Sequence, residues 1–197
     1  ASKNDLTFFD SIKYKENASD TKAGACLTTD KLKKYLPQKI EKIIVKNVLL
    51  ELALAINKIY LHADIDFPDF SLKKPSKKKY KFVKFGNNVL IGLNAKIDKN
   101  TLIGSNTIIE QGVTIGKNCV IGSNIVIKNS IIGDNVVIQD GCKIGQKGFG
   151  FIPMKDKNLK FPHIGKVIVE DNVEIASGCT IDRGSIDDTI IGKNTYL

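Results

Sequence analysis

From Phe85 to Leu197 an apolar residue returns almost every six positions. The series runs Phe85, Ile91, Ile97, Ile103, Ile109, Ile115, Ile121, Ile127 and, after a five-residue step, Ile132, Ile138, Ile144. After a gap it resumes at Val169, Ile175, Ile181, Ile191 and Leu197. Glycine often follows at once, as at Gly86, Gly92, Gly104, Gly116, Gly122, Gly133, Gly145 and Gly192. A fixed repeat constrains architecture before any local secondary structure is assigned. A helix would bring apolar residues back at three and four, and a half-buried strand at two. Six fits a short strand plus a tight turn, three of which close one triangular coil.

The position two before each of these residues is small or β-branched: Val89, Ala95, Thr101, Thr107, Val113, Cys119, Ile125, Val136, Cys142, Val173, Cys179, Thr189 and Thr195. Such side chains suit a strand turned into a narrow interior. Asn87, Asn88, Asn94, Asn100, Asn106, Asn118, Asn124 and Asn135 fall between the strands, where asparagine tolerates left-handed backbone. The predicted object is a parallel β-helix, stable only as a stack because each coil buries its apolar residues against its neighbours. Burying an Ile or Val stabilises by about 1.5–3 kcal/mol, and the sixteen repeat positions supply a sufficient core.

Composition narrows the rest. The chain has 197 residues, no Trp and 7% aromatic residues, which suits a solenoid better than an aromatic globular core. No apolar run reaches the length of a membrane-spanning helix. Cys119, Cys142 and Cys179 fall on the inward small position and Cys26 in the apolar stretch Ala23 to Leu27, so all four read as buried hydrophobes, with neither a metal nor a redox role. A reducing, cytoplasmic location follows from that reading. The formal net charge of +9 owes much to Lys73, Lys74, Lys77, Lys78, Lys79, Lys81 and Lys84. That run is a solvated linker or a surface for an acidic partner or an anionic membrane. Nucleic acid is disfavoured, because aromatics do not interleave with the lysines as a stacking surface requires.

Along the chain, residues 1–70 lack the six-residue period and read as a small α+β domain. Its strands are expected at Leu6 to Phe9, Ala25 to Thr28 and Ile43 to Val45, with a helix capped by Asn47 and running to about Tyr60. Residues 71–84 read as a Lys/Pro linker, and 85–197 as the solenoid, broken once by a loop insertion at 146–166. Gly148 and Gly150 flank Phe149 and read as a turn beside an exposed aromatic.

Several phrases carry a resemblance. They are Gly145-Gln146-Lys147-Gly148-Phe149-Gly150-Phe151, Pro162-His163-Ile164-Gly165-Lys166-Val167, Thr180-Ile181-Asp182-Arg183-Gly184 and Asp187-Asp188-Thr189. With Thr7-Phe8-Phe9-Asp10-Ser11-Ile12-Lys13-Tyr14, Thr21-Lys22-Ala23-Gly24-Ala25-Cys26 and Val45-Lys46-Asn47, they resemble the UDP-3-O-acylglucosamine N-acyltransferases of lipid A biosynthesis. The resemblance implies a left-handed β-helix and a homotrimer with active sites between neighbouring solenoids. It implies an amino-terminal uridine-binding domain. The implied reaction moves a 3-hydroxyacyl group from the phosphopantetheine thioester of acyl carrier protein to the 2-amino group of UDP-3-O-acylglucosamine, with no other cofactor. Phe8 and Tyr14 are then expected on the uracil ring, their alternative being ordinary packing. Ser11 stands where that family usually has a uracil-binding Asn, and offers only one shorter hydroxyl.

Thioester aminolysis needs a base for the attacking amine and donors for the oxyanion. The chain holds two histidines, His62 and His163. His62 ends the amino-terminal helix and His163 lies in the insertion, so both read as structural. The family's catalytic histidine lies on a coil after the Asp-Arg-Gly and Asp-Asp-Thr phrases, and the sequence stops at Leu197 ahead of it. The expectation is therefore no catalytic residue within these 197 and no turnover by this chain alone. The alternative is a non-catalytic protein that binds UDP-sugar or joins other hexapeptide-repeat trimers. An O-acyltransferase acting one step earlier lacks the amino-terminal domain, and a carbonic-anhydrase-like β-helix needs three histidines per metal. The basic run is a candidate dock for acidic acyl carrier protein, and is compatible with a peripheral place near a membrane.

Overall fold

The computed structural model describes residues 1–197 and divides into two compact units. One comprises Ala1–Ala63 with Gly150–Pro162, and the other Asp64–Phe149 with His163–Leu197.

The first unit contains a three-stranded parallel sheet of β1 (Leu6–Phe9), β2 (Ala25–Thr28) and β3 (Glu41–Ile44), in that order. The register pairs Leu6 with Ala25 and Ala25 with Glu41. The central β2 is the buried one, and the Thr28 hydroxyl there donates to the Phe9 carbonyl at 2.9 Å. Helix α1 (Lys15–Ser19) follows a 3-10 turn at Ile12–Tyr14, and α2 (Val48–Ile59) lies against β1 and β2. Asn47 caps α2 as expected, its side chain accepting from the Leu50 N–H at 3.1 Å. Val48, Leu52 and Ile56, four apart, form the buried face. The third strand begins two residues before the expected Ile43. Neither α1 nor the 3-10 turn was legible, since five residues hold too little period to register.

In the second unit the coils are stacked as the spacing requires, and the fold is the predicted small α+β domain followed by a left-handed parallel β-helix. Three five-stranded parallel sheets form its faces. Leu102–Ile103 pairs with Val120–Ile121 on one face, Ile108–Ile109 with Val126–Ile127 on the next, and Thr114–Ile115 with Ser130–Ile132 on the third. Each inward Ile therefore sits on the Ile of the coil below. Ile109, Ile127, Ile138, Ile144 and Ile175 are fully buried, as are Ala95, Val113, Cys119 and Cys142 at the inward small position. Thr101 and Thr107 enter the core because their hydroxyls donate to the Gly116 and Gly122 carbonyls, at 2.9 and 2.8 Å.

The corners use asparagine in the left-handed region, from Asn88 (φ 56°) to Asn194 (φ 59°), although Asn87 is not among them. At one corner the side-chain amides of Asn100, Asn118, Asn135 and Asn172 donate in series, each to the next asparagine, ending on Asn194 Oδ1, at 3.1–3.3 Å. Gly104, by contrast, is needed for close approach: a Cβ there would run into the Gly122 carbonyl of the next coil.

Two boundaries differ from expectation. The amino-terminal unit ends at Ala63, and residues 71–84 are a cap on the β-helix, not a linker. Lys73 exchanges backbone hydrogen bonds with Ile91, and Tyr80 is buried against Phe85 with its hydroxyl donating to the Ala95 carbonyl at 2.9 Å. The physical reason is that an open solenoid end exposes its apolar core, and Tyr80 and Val83 cover it. The insertion also starts later than Gln146. Lys143–Lys147 still pairs with Thr180–Arg183, shifted in register at Gly145 (φ 81°), and a hairpin of Phe151–Pro153 with Asn158–Lys160 then forms the excursion.

Candidate functional site

The carboxyl end of β1, the 3-10 turn and α1 converge on a cavity of about 90 Å³. Phe8 and Tyr14 both line it, with Thr7, Asn17, Thr21 and the Cys26 side of β2. Phe8 is 37% exposed and Tyr14 60%, so both rings stand at the rim with faces available to a ligand. Ser11 does not line the cavity. Its Oγ accepts from the Lys13 N–H at 3.4 Å and caps the 3-10 turn that carries Tyr14. Asn17 is exposed at the same rim, and its carboxamide makes no hydrogen bond within the protein. Sequence reasoning missed Asn17, because α1 itself was not expected. Thr21 opens the phrase Thr21-Lys22-Ala23-Gly24-Ala25-Cys26. Burial raises the Cys26 thiol to about 11, so it serves the cavity wall as an uncharged group.

A second constellation lies on one face of the β-helix. Asp66 bonds Arg183 at 3.2 Å, pairs with Lys128 at 3.4 Å and accepts from the Lys147 N–H at 3.3 Å. Lys128 also meets Glu110 at 3.0 Å. The Lys128 and Arg183 side chains are only 10% and 7% exposed. Arg183 completes its shell with the Gly145 carbonyl at 3.2 Å and the His163 carbonyl at 3.1 Å. Burial alone would raise the Asp66 carboxyl, but Arg183 and Lys128 together hold it below the usual carboxylate range. Burial raises Glu110, with Asp66 and Asp69 nearby, and Lys128 does not fully offset it. One lysine serves two acids and lies nearer Glu110, but only Asp66 has Arg183 as a second cation.

Arg183, noted in the Asp-Arg-Gly phrase, thus ties both ends of the insertion and the segment around Asp66 into the β-helix. Asp66, Glu110 and Lys128 were not singled out from sequence. A signal existed, since Glu110 and Lys128 directly follow Ile109 and Ile127, where most repeats have glycine. His62 lies in left-handed backbone (φ 64°), and His163 packs its ring against Gly148. Neither is among the residues that line the amino-terminal cavity.

The family model for UDP-3-O-(3-hydroxymyristoyl) glucosamine N-acyltransferase, LpxD, matches residues 1–58, and that for the hexapeptide repeat of succinyl-transferase matches 95–129. A UDP-3-O-acylglucosamine N-acyltransferase from a Bradyrhizobium strain is 38% identical over 203 residues, covering 98% of this chain and 57% of that protein. One from Rhodopseudomonas palustris is 36% identical over 98% and 55%, and one from Bradyrhizobium diazoefficiens 34% identical over 98% and 57%. The chain therefore spans little more than half the length of these curated relatives. Among solved structures, a perosamine N-acetyltransferase from Caulobacter crescentus aligns over 94% of this chain and 91% of that one, at 13% identity and a TM-score of 0.24, too loose a match to bear on function. The amino-terminal match, the hexapeptide repeats and 34–38% identity through nearly all of these residues make the chain similar to UDP-3-O-acylglucosamine N-acyltransferases over a little more than half of their length.

Proposed function

We propose that the protein serves N-acylation of the 2-amino group of UDP-3-O-acylglucosamine in lipid A biosynthesis, with acyl carrier protein as donor. In this reading the amino-terminal cavity seats the uridine and the β-helix forms the trimer scaffold. The observation that supports it is the meeting of Phe8 and Tyr14 at one rim, in the segment the family model matches. Two aromatic side chains beside a small cleft of mixed polarity suit a flat nucleobase. Asn17 offers the donor–acceptor edge that uracil needs and that Ser11, engaged at its cap, does not.

Calorimetric titration with UDP tests this. Phe8→Ala and Tyr14→Ala are each expected to weaken binding by about 5- to 150-fold, the equivalent of 1–3 kcal/mol per stacked base. Asn17→Ala is expected to cost less, about tenfold, as one lost hydrogen-bond pair. Undetectable binding of UDP by the unaltered chain would overturn the assignment.

A trimer is supported by aliphatic side chains that point outward in register, Leu102 and Val120 on one face and Ile131 and Ile190 on another, all exposed. Sedimentation equilibrium giving a monomer at micromolar concentration would remove that element. The four free cysteines fit a reducing compartment such as the cytoplasm. No helix is long and apolar enough to cross a membrane. A second reading, nucleotide binding without catalysis by these 197 residues, is favoured by the histidines. Neither imidazole lines the amino-terminal cavity. No turnover is expected from this chain alone in an amine-acylation assay, and measurable product would exclude that second reading.

A further inference from the structure

The capped end of the β-helix carries a charge distribution that neither uridine binding nor the solenoid core accounts for. Between Asp69 and Asp98 there are eight lysines, Lys73, Lys74, Lys77, Lys78, Lys79, Lys81, Lys84 and Lys96, and no acidic residue. All eight are exposed, and none forms an ion pair. The carboxylate of Asp69 does not neutralise them, since its oxygens accept from the Ser71 and Gln111 N–H groups at 2.8 Å each. Exposed apolar side chains occur in the same stretch of chain. Phe70 is 93% exposed, Phe82 71% and Leu93 61%. Phe70 and Leu93 share one groove of about 460 Å³ with Lys73, Lys74 and Lys79. Across the Lys74–Pro75 ridge, Lys74 and Lys77 line a second groove with Phe85, of about 630 Å³.

We infer that this end of the β-helix is a docking surface for an anionic lipid bilayer. The cap is held to the first coil by Tyr80 and the Lys73–Ile91 pairing, and Phe70 and Phe82 are exposed rather than folded in. An anionic leaflet offers a diffuse negative potential, which suits unpaired lysine point charges. Its interfacial region also covers apolar rings that water covers poorly. An acidic protein partner is the rival occupant. Recognition of discrete carboxylates favours the bidentate fork of arginine, and this surface has none: the chain's single arginine, Arg183, is buried in the ion-pair cluster.

The test is co-sedimentation with vesicles of phosphatidylcholine alone and of equimolar phosphatidylcholine and phosphatidylglycerol. Binding is expected to the anionic vesicles only, and is expected to fall steeply as salt is raised. Combined Lys73→Glu, Lys74→Glu, Lys77→Glu and Lys78→Glu is expected to lower the partition coefficient by at least about 100-fold, at roughly fivefold per lysine removed from an anionic surface. These side chains are exposed and support no hydrogen bond in the fold, and circular dichroism checks that the variant stays folded. The chain contains no tryptophan, so Phe70→Trp places a single reporter in the patch. Its emission is expected to shift to the blue and to be quenched by brominated lipid on anionic vesicles. Failure of the unaltered protein to sediment with anionic vesicles at low salt overturns the proposal. So does sedimentation without a blue shift, or with the glutamate variant unaffected. Binding of acyl carrier protein at this patch with no vesicle binding overturns it in favour of the acidic protein.

Discussion

Asp66→Asn is expected to destabilise the β-helix unit by about 3–5 kcal/mol, the cost of leaving buried charge uncompensated when one partner of a buried pair is removed. Asparagine keeps the shape but not the charge. Lys128 would retain Glu110, while Arg183, 7% exposed at its side chain, would retain only the Gly145 and His163 carbonyls. Urea unfolding reads the loss, and a change below about 1 kcal/mol would mean the cluster is solvated in a way its burial does not suggest. Pairing Asp66→Asn with Arg183→Met gives the coupling, expected at about 1–3 kcal/mol for residues in direct contact.

The pH dependence has opposite signs at the two acids. The folded-state pKa of Asp66 lies below its usual 3.8, so its stabilisation is present above that value and is lost as pH falls below it. Glu110 lies above its usual 4.5, so the fold gains from protonating it as pH falls through that range. Stability is therefore expected to hold or rise slightly on acidification to the upper edge of the carboxylate range. It should drop only below pH 3.8, and Glu110→Gln should flatten the first feature while leaving the second.

Ile127→Ala is the other large effect, expected at about 4 kcal/mol within the 2–5 kcal/mol typical of buried Ile truncations. Ile127 is fully buried, with Ile109 below it and Ile144 above in strict register. The coils on both sides are themselves stacked, so neither can collapse into the space left. Solenoid stability is a chain of nearest-neighbour terms, and a weak link in the middle uncouples both halves. The same change at Ile97, 9% exposed and near the capped end, is expected to cost about half as much. Equal losses at the two sites, measured by urea unfolding, would show that depth in the stack does not matter.

The rest of the Lys/Pro segment shows how composition misleads. Its lysines read as a solvated linker, and they are solvated. Yet Tyr80, embedded among them, closes the core of the first coil. A single apolar residue in a basic run has no period to betray it, and its burial depends on an open end that exists only once the solenoid has formed. The residues around the amino-terminal cavity show a similar split. Phe8 and Tyr14 were legible through the phrases around them, and Ser11 sits beside them in sequence. The 3-10 turn directs Ser11 to its cap and swings Asn17, one helical turn further on, to the rim.

By itself the sequence determined the three-faced coil, because each strand, corner and inward position is set by neighbours within six residues. Asparagine at the corners, small residues two before each aliphatic and the Asn47 cap are all local statements about backbone and volume. Which charges meet depends on how distant segments pack. Asp66 and Arg183 are 117 residues apart, and Glu110 and Lys128 join them because the sheet register lifts successive coils past one face. The Asp66–Arg183 pairing joins distant segments and leaves no trace in local spacing, whereas Glu110 and Lys128 follow paired aliphatics of stacked coils. The same stacking gathers the lysines and the exposed aromatics at one end.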